Sequence, residues 1–191
     1  MKKDNELKQF SWIHTKVYSL ILKFFYNTFV VEQFIQKIEF NKKILEIGSG
    51  TGHDYKKLKE KYNITGSDYS DSFLQLLNKK FKNDKFLKLN ALSMDIDGKF
   101  DVIYSNKVLH HLTPEQLKIS LENQYNCLNE NGLLFHALWQ GSDKKGAHKE
   151  MPDVRYQFQD IEILKGKFKI KEFITYKELS ANDSFIVILE K

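Results

Sequence analysis

From Lys43 onward, short apolar runs alternate with stretches in which apolar residues recur every three to four positions. The short runs predict buried strands, and the longer period predicts helices lying over them. Strands are expected over 44–47, 63–67, 85–89, 101–104, 133–138, 168–175 and 184–189, and helices over 54–61, 71–81, 114–128 and 160–164. Ser70 can cap the second helix, Thr113-Pro114 opens the third, and Gly132 lies just past that helix's end. Strands separated by helices imply an α/β fold with a doubly wound, mostly parallel seven-stranded sheet. The last two strands have no helix between them and should form an antiparallel hairpin. Residues 1–40 differ: Phe10, Ile13, Val17, Leu20, Ile21 and Phe24 follow helical spacing, and so do Val31, Phe34, Ile35 and Ile38. They predict an N-terminal helical cap, either plain packing or a lid, on a core spanning 41–191.

Composition narrows the class. A chain of 191 residues with 41% hydrophobic content reads as one domain with a sizeable core. One cysteine, Cys127, excludes an internal disulfide and suits a reducing compartment. Asp4 and Glu6 are unlike a secretory leader, and the apolar stretch 17–31 is interrupted by Lys23 and Asn27 and is short for a bilayer. The expected setting is cytoplasmic, with no membrane partner. Net charge is +5, yet Arg155 is the sole arginine among 30 basic residues. That pattern reads as a solvated lysine surface rather than a nucleic-acid interface.

Candidate chemistry starts at Ile44-Leu45-Glu46-Ile47-Gly48-Ser49-Gly50-Thr51-Gly52-His53-Asp54. An apolar strand runs into glycines at alternate positions, then into a helical pattern. Glycine allows sharp turns and close approach of a ligand, and the amides opening the helix carry partial positive charge. The dinucleotide fingerprint Gly-x-Gly-x-x-Gly is not met, because His53 stands where its third glycine belongs, and the lysine of a phosphate-binding P-loop is absent. Asp68 lies about 20 residues past the first glycine, where an acid can accept the hydroxyls of a ribose.

Glu-x-Gly-x-Gly-x-Gly resembles motif I of the class I S-adenosylmethionine (SAM) dependent methyltransferases. The run from Lys99 to Leu112, Lys-Phe-Asp-Val-Ile-Tyr-Ser-Asn-Lys-Val-Leu-His-His-Leu, independently resembles a segment common in small-molecule methyltransferases of this class. Compact methyltransferase-domain proteins, the tellurite-resistance type among them, are similar in length and strand order. The resemblance implies SAM as cofactor and S-adenosylhomocysteine as product. It places Glu46, Gly48, Ser49, Gly50, Gly52, Asp68, Tyr69, Asn90, Ala91 and Asn106 at the cofactor, with Asp68 on the ribose, Tyr69 beside the adenine and Asn90 where relatives often carry an acid. His53 stands where it can approach the methionine carboxylate.

The Asn/Asp-Pro-Pro-Tyr of amino-methylating enzymes acting on nucleic acids and protein amides is replaced by Ser105-Asn106-Lys107-Val108, and the acids of magnesium-dependent catechol-type enzymes are missing. His110 and His111 are expected to point different ways, and no ligand set has metal spacing. His111 is the candidate base, though a structural histidine fits the position equally. His136 is expected in the core, and His148 falls in a polar loop. Trp139, Arg155 and Tyr156 are expected to border an acceptor pocket. Methyl transfer to a small molecule is the leading expectation. Alternatives are an RNA or protein methyltransferase and a non-catalytic SAM-binding regulator.

Overall fold

The computed structural model describes residues 26–142 and 153–191. The helical pattern over Phe10 to Phe24, and His148 with most of its loop, lie outside the described residues. In chain order the elements are α1 (Phe29–Lys37), β1 (Lys43–Glu46), α2 (His53–Leu58), β2 (Asn63–Asp68), α3 (Asp71–Lys80), β3 (Phe86–Lys88), β4 (Phe100–Asn106), a 3-10 turn (Leu109–His111), α4 (Pro114–Cys127), β5 (Leu128–Trp139), α5 (Phe158–Leu164), β6 (Lys169–Tyr176) and β7 (Ser184–Glu190). One sheet holds all seven strands in the order β3-β2-β1-β4-β5-β7-β6. The first five strands are parallel to their neighbours, and β7 pairs antiparallel with both β5 and β6.

The apolar runs are continuous because both sheet faces are covered. Ile44 and Leu45 of β1 are both fully buried but point to opposite faces, as do Val102 and Ile103 of β4. Leu45 and Ile103 join Leu117 and Leu121 of α4 and Ile161 of α5. Ile44 and Val102 join Val30, Val31 and Phe34 of α1 on the other face. The α1 part of the expected cap is therefore core packing. Phe34 is wholly buried, with edge-on contacts to Tyr62, Tyr104 and Phe135 at ring separations of 5.0–5.4 Å.

Several local expectations need correction. Ser70 occupies the N-cap of α3, but its side chain makes no cap hydrogen bond; the Asp68 carboxylate accepts the Ser70 N–H instead, at 2.8 Å. The helix after the glycine loop is short, since Lys59 already ends it. Gly132 does not cap α4. It lies in an irregularity of β5, where pairing with β4 jumps from Phe100–Leu128 to Val102–Leu133. The left-handed residue there is Asn131, at φ 60°, which an asparagine tolerates better than most. Thr113 does cap α4, through a reciprocal box with Gln116.

His136 is buried in β5 between the Ser105 hydroxyl at 2.9 Å and the Gln124 carboxamide at 2.8 Å. Burial holds it neutral, down at about 3. Among the described residues no helix is long and apolar enough to cross a membrane.

Removing the Phe34 ring should expose how much α1 contributes to the core. Phe34→Ala is expected to cost about 3–5 kcal/mol in urea unfolding, the range for a fully buried aromatic. A loss near zero would show that α1 rests on the core without holding it.

Candidate active site

The chain leaves β1 through a turn that only glycine accommodates. Ile47 N–H still donates to Tyr104 O across the sheet at 2.9 Å. The next residue, Gly48, has φ +70°, and a Cβ there would stand 2.5 Å from Val108 Cγ2. Gly50, at φ +51°, is different: a Cβ would meet nothing closer than Gly48 O at 3.9 Å. Gly48 is thus demanded by packing and conformation together. Gly50 is demanded by conformation alone, and the space a Cβ would fill there is open.

Ser49 ties the loop down. Its N–H donates to Ser67 O at 2.7 Å, and its hydroxyl donates to Glu46 Oε2 at 2.5 Å. At the end of β2, the Asp68 carboxylate accepts Gly50 N–H at 2.9 Å through Oδ2 and Ser70 N–H through Oδ1. Burial raises its pKa, and the backbone donors of Ser70, Gly50 and Tyr69 pull the other way. Lys80 of α3 closes the far side by donating to Thr51 O at 2.9 Å.

A third carboxylate lies by this loop, and the sequence did not single it out. Asp54, in the first turn of α2, is buried. Its Oδ1 accepts the Tyr26 hydroxyl, and its Oδ2 accepts the Tyr104 hydroxyl at 2.6 Å and Asn106 Nδ2 at 3.0 Å. Asn106 Oδ1 is buried with no hydrogen-bond partner among the described residues. Burial, then the Asp54 charge, push Glu46 from its ordinary 4.5 up to about 8. His53 stacks on the Tyr26 ring at 4.9 Å, and its Nδ1 lies 2.6 Å from Thr51 Oγ1. Desolvation lowers its pKa.

The carboxyl ends of β4 and β5 form the other half of the site. Lys107 follows Asn106 in a left-handed conformation, φ 56°. Its ammonium donates to Leu138 O at 3.0 Å and Ser184 Oγ at 2.6 Å and lies 3.9 Å from the Trp139 ring centroid. Burial brings this lysine down to about 7. Arg155 covers the same indole at 5.5 Å. His110 and His111, expected to diverge, lie against each other with centroids 3.9 Å apart, because a 3-10 turn does not send neighbours to opposite faces as a strand does. His110 is the buried one, 3.8 Å from the Asp153 carboxylate; His111 is half-buried. No group of three or more metal-ligating side chains is found among the described residues.

The structure gathers Glu46, Gly48, Ser49, Gly50, Gly52, Asp68 and Asn106 around one loop, with Tyr69 half-buried beside Asp68. Asn90 is half-buried, and its side-chain carbonyl accepts Leu92 N–H at 2.9 Å. Ala91 is buried, and its carbonyl accepts the Ser120 hydroxyl. Tyr156 needs a correction as an acceptor contact: it is fully buried, and its hydroxyl donates to Leu112 O at 2.7 Å. It buttresses the His110–His111 turn from behind. Asp54, Tyr104 and Lys107 were missed. An acid two residues past the last glycine was visible, but its burial depends on Tyr104 and Asn106, about 50 residues away.

Comparison with known proteins agrees with this geometry. Residues 45–134 match the family described as Methyltransferase domain. A TehB-like SAM-dependent methyltransferase from Corynebacterium glutamicum superposes with a TM-score of 0.74 at 15% identity, over 95% of this chain and all of that one. N-methyltransferase NodS from Bradyrhizobium japonicum, in complex with S-adenosylhomocysteine, gives 0.67 at 17% identity over 86% and 84% of the two chains. Among curated proteins, phosphoethanolamine N-methyltransferase 1 of Arabidopsis thaliana is 28% identical over 101 residues, 49% of this chain and 21% of that enzyme. A non-reducing polyketide synthase of Penicillium roqueforti is 33% identical over 106 residues, 48% of this chain and 4% of the synthase. Residues 45–134, somewhat under half of the chain, thus resemble a methyltransferase domain, and the fold is the one seen in SAM-dependent methyltransferases.

The buried acid has a stability consequence. The folded state keeps a proton on Glu46 that the unfolded chain gives up, so this stabilisation is complete below about pH 4.5 and is lost as pH rises toward 8. Urea unfolding of wild type and Glu46→Gln at about pH 5 and pH 8 should show the wild type losing ground to the variant at the higher pH, by an amount on the order of a few kcal/mol. A difference that does not change with pH would contradict the assignment.

Proposed function

We propose that this chain binds SAM at the glycine loop and transfers its methyl group to a small-molecule acceptor held at the carboxyl ends of β4 and β5. The observation that carries this reading is the loop itself. Gly50 leaves an open cradle, Asp68 stands beside it, and the partnerless Asn106 Oδ1 lies under it. These residues fit the cofactor chemically: a carboxylate for ribose hydroxyls, open backbone for the methionine end, and an unpaired carbonyl oxygen for its ammonium. The bound NodS product and the name of the plant enzyme, whose acceptor is phosphoethanolamine, support the same cofactor and a small acceptor.

SAM, when bound, supplies an electrophilic sulfonium methyl. The residues of this chain then have three tasks. Glu46, Asp68 and Asn106 orient the two ends of the cofactor. Val108, packed against Gly48, fixes the distance between the loop and the end of β4. Lys107, Trp139 and Arg155 shape the acceptor side and exclude water. An acceptor that arrives protonated needs a base within reach, and His111 is the less buried member of the histidine pair.

Two measurements test this. Label from methyl-labelled SAM should enter a component of a metabolite extract in the presence of the protein. Incorporation into protein or RNA in place of metabolites would redirect the acceptor assignment. Asp68→Ala should weaken SAM binding at least tenfold by calorimetry, about 1.4 kcal/mol or more, with the circular-dichroism spectrum unchanged. Unaltered affinity would remove Asp68 from the cofactor site.

A further inference from the structure

Glu46 and Asp54 are two buried carboxylates, 3% and 8% exposed, under one loop. Their hydrogen bonds among the described residues come from neutral groups: the Ser49 hydroxyl to Glu46, and Tyr26, Tyr104 and Asn106 to Asp54. Among the described residues neither forms an ion pair. Among the described residues the groups around Glu46 include no cation in ion-pair contact with it. From α2 come Asp54 and His53, while Lys56 and Lys57 line a cavity with Tyr26 and Ile35. From β2 comes Asp68, from β4 Tyr104 and Asn106, and from the segment before α1 Tyr26. Lys80 of α3 is spent on Thr51 O.

Two buried like charges without a cation are unstable as such; a proton on one of them, or an arriving cation, resolves the conflict. Asp54 receives three donors and is the better carboxylate. Glu46 receives one and is the better place for the proton. The upward shift of Glu46 agrees with this geometry.

We propose that the Glu46–Asp54 pair couples cofactor binding to release of a proton from Glu46, so that the site favours the cationic sulfonium cofactor over its neutral thioether product increasingly as pH rises. The proton on Glu46 leaves to buffer when the cofactor's positive charge takes over its task; nothing is oxidised or reduced. The thioether product lacks the sulfonium charge and cannot replace the proton as fully. The discrimination thereby favours exchange of product for fresh cofactor. This inference rests on the SAM-binding reading above.

The test is calorimetric titration of the wild-type protein with SAM and with S-adenosylhomocysteine in two buffers of different ionisation enthalpy, phosphate and Tris. At about pH 7 the heats for SAM should differ between buffers by the equivalent of a substantial fraction of a proton, and those for the product by less. The affinity ratio of SAM to product should rise at least about threefold between pH 6.5 and 8.5. The sulfonium also lowers the α-amino pKa of SAM relative to that of the product, so the share of the difference that Glu46→Gln removes is the proton released by Glu46. Glu46→Gln should abolish the extra proton; where that variant does not fold, the wild-type ratio across pH decides alone. SAM binding with no more proton release than the product shows, or with a pH-independent ratio, would overturn the proposal and leave the cofactor reading intact. Absence of SAM binding altogether would overturn the cofactor reading and the proposal with it.

Discussion

At Gly48 the backbone of β1 passes so close to Val108, just past the end of β4, that no side chain fits between them. That steric contact sets where the loop can lie. β1 and β4 are adjacent in the sheet, while the connections from them run outward in opposite directions. A crevice opens at such a switch point, beyond the carboxyl ends of the strands. With the loop held there, Gly50 N–H reaches Asp68 on one side, and Asp54 on the following helix reaches Tyr104 and Asn106 on the other. Three strands and one helix are tied to a single loop by short polar contacts.

The electrostatics of this centre oppose those of the whole chain. The protein carries a net charge of +5, yet Glu46, Asp54 and Asp68 converge on the loop. Asp68 is met by backbone N–H donors, Asp54 by neutral hydroxyl and amide donors, and Glu46 by the Ser49 hydroxyl, with burial raising its pKa. Such a site suits a cofactor bearing positive charge better than a polyphosphate, whose like charges would meet buried carboxylates. The same feature agrees with the missing P-loop lysine and the broken dinucleotide fingerprint.

Much of this was legible in sequence because it is local. The strands themselves, the closing hairpin and the glycine loop each follow from residues close together in the chain, where period and turn chemistry speak directly. Helix ends were less legible: Ser70 stands at the N-cap but its side chain makes no cap hydrogen bond, and Asn131 rather than Gly132 takes the left-handed turn. Least legible were partnerships across the fold. Asp54 resembles any acid in a first helical turn until Tyr104 arrives from β4, and Tyr156 resembles a pocket residue until its hydroxyl is found on Leu112 O. Lys107 looks like one of many surface lysines, but it is half-buried between β5 and β7 under Trp139.

The central claim is that the acid-lined glycine loop is a seat for SAM and its product. A thermal-shift panel with SAM, S-adenosylhomocysteine, NAD and ATP tests it most directly. A ligand bound only by the folded state at about 100 times its dissociation constant adds roughly 2.7 kcal/mol, a readily visible rise in Tm. The account predicts that rise with SAM and S-adenosylhomocysteine and none with NAD or ATP. A rise with NAD or ATP, or no rise with either SAM or its product, would contradict it.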